Sequence, residues 1–286
     1  MEPTCFYWQH HELGPVLGVG LTAELKLDHQ FDQTLVQDFM AAHKGHYIFG
    51  YLSYDLKNSF EALASENPEK LNFPALHFWV PESLYQLKEK PSLIWGLAQQ
   101  ENQDLAQKFL DLFEDKNSRI SANFQARTTK NRYVDQFEKL KNALQRGDIY
   151  EVNYCQEFHI ENHELANPVG LFGRLSELTK APHAAFLQTN DHVVLCASPE
   201  RFMQKKGPLL RSEPIKGTAP RSEDKAQDQQ IATALQPVSH SNRPPAHRPP
   251  ADDWDRRAAI GVPPGPLRSG PVVTPPAPTR CRPGPG

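Results

Sequence analysis

The chain has 286 residues, enough for one large domain or two ordinary ones. Its formal net charge of -3 excludes the strongly basic face or tail of a dedicated nucleic-acid or anionic-membrane binder, so a small molecule or a protein is the expected partner. Residues 1–14, "MEPTCFYWQHHELG", lack the basic n-region of a signal peptide, and no apolar run approaches bilayer length, so a cytoplasmic location is expected.

Cys5, Cys155, Cys196 and Cys281 are far apart and form no C-x-x-C pair, which predicts buried, reduced thiols and neither a zinc site nor a disulfide framework. "GVGLTA" at 18–23 formally satisfies the dinucleotide fingerprint G-x-G-x-x-A, but Pro15 interrupts the strand before it, and no acidic residue follows at the end of a second strand. His43 and His46 flank Lys44 and Gly45, the composition of a helix exit. These histidines, like the pairs His10 and His11 and His159 and His163, sit in no catalytic or metal-binding context.

Strands are predicted at "HYIFGYLSYD", "PALHFWVP" and "PSLIWGLAQ". A helix follows in "DLAQKFLDLFED", where Leu105, Phe109, Leu112 and Phe113 make an apolar stripe that reads as core. A second helix is predicted in "NRYVDQFEKLKNALQRGD": Tyr133, Phe137, Leu140 and Leu144 share one face, and Gly147 is placed to cap the end in the left-handed conformation. "DIYEVNYCQEFHI" then alternates bulky and polar residues at strand period. "AAFLQTN" and "HVVLCASPE" are predicted to pair as a hairpin through Asn190 and Asp191. Helices and strands without βαβ alternation give an α+β class of layered sheet and helix, and no internal repeat is found.

Glu200 in "ASPERFM" and Lys216 in "RSEPIKGTAPRSE" are sixteen residues apart. A strand ending at Ser198 and Pro199 can present the carboxylate at the mouth of a sheet, and a strand through 213–217 can bring the lysine back beside it. An uncharged lysine there is a nucleophile and the glutamate a proton shuttle. An ordinary salt bridge explains the same spacing.

The last fifty residues differ in composition. Residues 237–286 hold 14 of the 26 prolines and seven arginines, with no lysine, no glutamate and one leucine, Leu267. Such a segment cannot donate the hydrogen bonds of regular structure or offset its chain entropy, so disorder is expected. A natural Pro-rich linker and a change of reading frame near Gln236 both fit this composition.

Three segments together resemble the chorismate-utilising enzymes, and within them the aminodeoxychorismate synthase component I branch. "GDIYEVNYCQEF" (147–158), "ASPERF" (197–202) and "PIKGTAPR" (214–221) are similar to successive family signatures, and "FGYLSYDLK" (49–57) resembles an element of the N-terminal half. The resemblance covers most of residues 45–236. It implies an α-β-β-α sandwich, present here only in its N-terminal part: an N-terminal region over 1–120, the start of a chorismate-binding domain over 121–236, and the tail at 237–286. It further implies that Lys216 attacks C2 of chorismate as the C4 hydroxyl leaves, that Glu200 is the general acid and base, and that Gly217 and Thr218 approach substrate through their backbone. By the same resemblance, ammonia from a glutamine amidotransferase subunit is expected to open the covalent intermediate at C4, and magnesium is expected to hold the substrate carboxylate.

Anthranilate synthases carry alanine where Lys216 stands, which disfavours that alternative. The family's later motifs, with its magnesium-ligating glutamates, have no counterpart in 237–286. The expectation is therefore a C-terminally truncated, inactive chain, or a non-catalytic remnant that only docks onto the amidotransferase.

Overall fold

The computed structural model describes residues 4–10, 12–64, 70–115, 117–120, 123–161, 164–213 and 219–241. The chain divides into two compact units, Met1–Pro199 and Glu200–Gly286. The first unit runs β1 (Cys5–His10), β2 (Gly14–Val19), β3 (Ala23–Leu27), α1 (Gln33–Ala42), β4 (Phe49–Leu52), a 3-10 turn (Tyr54–Ser59), β5 (Leu76–Val80), β6 (Ser83–Gln86), β7 (Ser92–Gly96), α2 (Gln100–Glu114), β8 (Gln125–Ala126), α3 (Lys130–Arg146), β9 (Phe158–His159), α4 (Pro168–Thr179), β10 (His183–Gln188) and β11 (Val193–Ser198). The second holds β12 (Arg201–Lys206), β13 (Leu209–Glu213) and α5 (Lys225–Ser241).

Six strands of the first unit form one sheet in the order β11-β10-β1-β2-β6-β7, antiparallel throughout. Because successive side chains alternate across a strand, each strand feeds both faces. Cys5, Tyr7, Leu17, Val19, Tyr85 and Phe186 enter one core with Ala106 and Phe109 of α2 and Val169 and Phe172 of α4. Tyr7 is the hub of that core, with its ring centroid 5.4 Å from Phe113 and 5.2 Å from Phe172. Burial pushes its phenol pKa up to about 12.

On the other face Val16, Leu84 and Leu187 meet Phe49 and Trp79 from the three-stranded sheet β3-β5-β4. Phe6 packs there too, 4.8 Å from the Phe49 ring. The layers therefore run helices, six-stranded sheet, three-stranded sheet: three layers of the α-β-β-α order and an α+β class. Gly18 faces the second sheet, where a methyl group would stand 2.7 Å from the Phe49 ring.

The predicted hairpin β10–β11 forms through Asn190 and Asp191, closed by the Thr189 N–H donating to the His192 carbonyl at 2.9 Å. The stripe of α2 is core, as expected. In α3, Gly147 at φ 79° ends the helix, and the N–H groups of Gly147 and Asp148 donate to Leu144 and Ala143. The fingerprint-like 18–23 leads from β2 into β3 with no helix after it, the wrong context for a dinucleotide. His43 caps the exit of α1, its ring nitrogen 2.9 Å from the Phe39 carbonyl.

Three expectations fail. The strand read in 148–160 shrinks to β9, which among the described residues pairs with β8 alone; the Arg127 N–H also reaches the Glu157 carbonyl at 2.8 Å, and residues 151–156 lie in no strand. Cys155 lies on that unpaired segment and is exposed rather than buried; Cys5 is buried. And the segment from Pro237, expected to lack regular structure, instead continues α5 to Ser241, since one proline removes one ladder bond and the next, Pro244, comes only after Ser241. The rest of the Pro- and Arg-rich tail, with Cys281, and His11 and His163 lie outside the described residues.

Two predictions follow from the packing. A methyl group on Gly173 of α4 would sit 1.9 Å from the Phe113 carbonyl oxygen of α2, so Gly173→Ala is expected to cost about 1–3 kcal/mol, read as a lower urea midpoint. The second concerns His77, buried against Trp79, with its Nε2 3.1 Å from the Glu24 carboxylate. Burial lowers the His77 pKa, and Glu24 only partly restores it. Burial opposes the Glu24 carboxylate, yet Lys26 and His77 together hold its pKa below the ordinary range. Both groups bind protons more readily in the unfolded chain. Stability is thus fullest above the ordinary histidine value of about 6.5 and falls as acid titrates His77 and then Glu24. Urea midpoints should drop from pH 7 to pH 5, and less steeply in His77→Gln.

Candidate active site

The sequence places its chemistry at Glu200, Lys216, Gly217 and Thr218. Glu200 is exposed at the start of the second unit. Lys216, Gly217 and Thr218 lie outside the described residues. What the structure supplies is the frame on either side of them.

That frame is the hairpin β12–β13. Its turn uses two residues, Gly207 and Pro208, between the paired Lys206 and Leu209. Gly207 adopts φ 58°, a left-handed value that glycine takes without steric cost and that suits the first central position of a two-residue hairpin. At the open end Arg201 is the register partner of Glu213, and its Nε donates to the Glu213 carboxylate at 2.7 Å. Arg211 pairs with the same carboxylate, and the Ser212 hydroxyl donates to the Phe202 carbonyl at 2.7 Å. The end at which Glu200 enters the hairpin is therefore the end from which the chain departs, three residues before Lys216. The sixteen-residue separation is folded back on itself.

After the undescribed 214–218 the chain is anchored again. Arg221, the last residue of "PIKGTAPR", donates through Nε and an NH2 group to both oxygens of Asp228, each at 2.8 Å. The same carboxylate accepts from the Ser222 N–H at 3.1 Å, and Asp224 accepts from the Gln227 N–H at 2.8 Å, opening α5. The hydrogen bond from Arg221, with help from the Ser222 N–H, holds the Asp228 pKa below the ordinary carboxylate range, and Asp228 raises that of Arg221. In the sequence the clamp on Asp228 is signalled only by an arginine just before a helix with an aspartate in its first turn.

Elsewhere, a cavity of about 600 Å³ opens on the helix side of the six-stranded sheet, lined by Tyr7, Leu87, Phe113, Ser176 and Lys180 among others. Among the described residues no group of three or more His, Cys, Asp or Glu side chains is placed to hold a metal ion, and residues 237–286 contain no glutamate. The residues in view thus do not make the magnesium site that the resemblance implies. Among the described residues no helix is long and apolar enough to cross a membrane.

Arg221→Ala is expected to return Asp228 upward toward an ordinary carboxylate titration, followed by carboxyl carbon NMR, and to speed proteolysis near 214–221. An unmoved Asp228 titration would mean the clamp does not form in solution.

Comparison with known proteins agrees with these signatures. The model for chorismate binding enzymes matches residues 3–239. An aminodeoxychorismate synthase component 1 from Bacillus subtilis is 27% identical over 231 residues, covering 75% of this chain and 46% of that protein. One from Salmonella typhimurium is 35% identical over 117 residues, covering 41% of this chain and 25% of that protein. The crystal structure of anthranilate synthase component I from Streptococcus pneumoniae TIGR4 superposes with a TM-score of 0.58 at 20% identity, over 77% of this chain and 56% of that one. The chain thus spans under half the length of these curated relatives.

Proposed function

The chain belongs to the chorismate binding enzyme family, and from that premise we propose that it carries the first part of an aminodeoxychorismate synthase component I site. The proposed substrate is chorismate, the nitrogen donor is ammonia from a glutamine amidotransferase subunit, and the product is 4-amino-4-deoxychorismate. The observation that carries this reading is Lys216 in "PIKGTAPR", where the resemblance sets lysine for amination at C4 and alanine for anthranilate formation. The relatives from Bacillus subtilis and Salmonella typhimurium support it by name, and the β12–β13 register supports it by returning the chain toward Glu200.

Hydroxide is a poor leaving group, so direct substitution at C4 is slow. In the proposed route the uncharged amine of Lys216 bonds to C2, the two conjugated ring double bonds each shift by one position toward C4, and the C4–O bond breaks. Glu200 gives its proton to the departing oxygen, which leaves as water. Ammonia then bonds to C4, both double bonds shift back, and the C2–N bond breaks to release Lys216. The proton that Glu200 gave up is recovered from the ammonia nitrogen. Gly217 lets the backbone approach the substrate closely, and Thr218 offers donors toward a carboxylate. The magnesium that belongs with this reading would be held by segments not found in these residues, and no step above is routed through it.

The test is a chimera in which residues 1–236 are joined to the segment of the Bacillus subtilis relative that follows the aligned one. With chorismate, ammonium and magnesium it is expected to form 4-amino-4-deoxychorismate. Glu200→Gln should slow the reaction by about 10²–10⁴-fold, and Lys216→Ala should abolish C4 amination. The 286-residue polypeptide assayed alone is expected to give no product. Anthranilate as the product, or undiminished amination by Lys216→Ala, would overturn the reading.

A further inference from the structure

The cavity on the helix side of the six-stranded sheet exists because small residues face large ones. Gly173 and Ser176 of α4, with Ala181 before β10 and Ala184 within it, leave open the space that Leu110 and Phe113 of α2 wall from the other side. Interiors otherwise pack with few voids larger than a water molecule. At about 600 Å³ this one lies in the range of small-molecule sites.

Its polar groups are sorted by depth. Tyr7 is 4% exposed, and its hydroxyl donates to Gln9 Oε1 at 2.8 Å. That bond leaves the Tyr7 oxygen as an acceptor and the Gln9 amide nitrogen as a donor. Burial keeps the phenol protonated, its pKa pushed up to about 12. The Ser176 hydroxyl is closed to water and makes no hydrogen bond among the described residues, a costly state for a polar group. The ionic side chains of the lining, Lys88, Glu114, Glu177 and Lys180, are all exposed and so sit at the mouth.

This sorting decides what the cavity can hold. A charge carried to the floor would lose its water and meet only neutral partners, which is costly. A neutral group that both donates and accepts would instead meet Ser176, the Tyr7 oxygen and the Gln9 amide, with a flat apolar body beside Phe113 and Leu110. We propose that the cavity is a binding site for an uncharged bicyclic aromatic molecule bearing one hydroxyl or primary amide. Selection against charge sets it apart from any seat for a carboxylate substrate, and it stands whether or not Lys216 reacts as proposed above.

The experiment titrates the 286-residue chain, methyl-labelled at alanine and leucine, with 2-naphthol and 2-naphthamide, and with 2-naphthoate and 2-naphthylmethylammonium as charged analogues of the same size, and follows binding by NMR. Both neutral probes are expected to bind and to shift the methyl signals of Leu87, Leu110 and Ala184, with the charged pair at least about tenfold weaker. Ser176→Ala should weaken 2-naphthamide by about three- to tenfold. Because that substitution removes a hydroxyl without a partner, the variant's thermal transition should lie no lower than the parent's, which separates lost binding from lost folding. Absence of binding by the neutral probes, shifts confined to other methyl groups, charged probes that bind as tightly, or equal binding of 2-naphthamide by Ser176→Ala would overturn the proposal.

Discussion

The constraint on which the first unit depends is that its six-stranded sheet is apolar on both faces. Alternation along β1 sends Cys5 and Tyr7 one way and Phe6 the other, so neither face can be left to water. Helices α2 and α4 close one side and the sheet β3-β5-β4 the other. Close approach then dictates small residues where the layers touch: Gly18 beneath the Phe49 ring, and Gly173 against the Phe113 carbonyl. These glycines are there for contact distance rather than for backbone freedom, since neither has a positive φ.

The same two-sided burial decides what the sequence shows and hides. Helices α2 and α3 are legible because each has one apolar and one polar face, and α3 ends in a left-handed glycine. The β10–β11 hairpin is legible through Asn190 and Asp191. β1 is not: Phe6, Tyr7 and Trp8 are consecutive aromatics, so a strand buried on both sides shows no alternation. α4 is masked by Gly170 and Gly173, poor helix formers required by its packing against neighbouring segments. The opposite error occurs at 151–156, where the alternation is present and, among the described residues, no strand forms. Periodicity reports which faces a segment could bury, not whether a neighbour exists.

The candidate site was legible as chemistry and only partly as geometry. Short signatures around Glu200 and Lys216 are readable in the sequence because the chemistry proposed for them depends on residue identity. The devices that position them are less visible: the doubly paired Glu213 at the open end of the hairpin, and the Arg221 clamp on Asp228. Each is an ordinary charged pair until folded coordinates show it at the ends of the segment that carries the lysine. Pairs open to water in part contribute little to stability, so their role is to fix where the chain leaves and re-enters.

Local and tertiary signals agree over most of the first unit and part at α3. The caps at Thr129 and Gly147 and a run of good helix formers define this helix without help from a core. Of its apolar stripe, Tyr133 stacks on Tyr154, while Phe137 and Leu144 stay exposed among the described residues. A sequence shaped only to be a solvent-facing helix would not keep Phe137 and Leu144 in line with Tyr133 and Leu140, because exposed apolar groups add no stability and invite association. That helix is therefore locally complete, held by its caps and propensities rather than by burial. It follows that the first unit forms its own two-faced core from α2, α4 and the two sheets without drawing on α3.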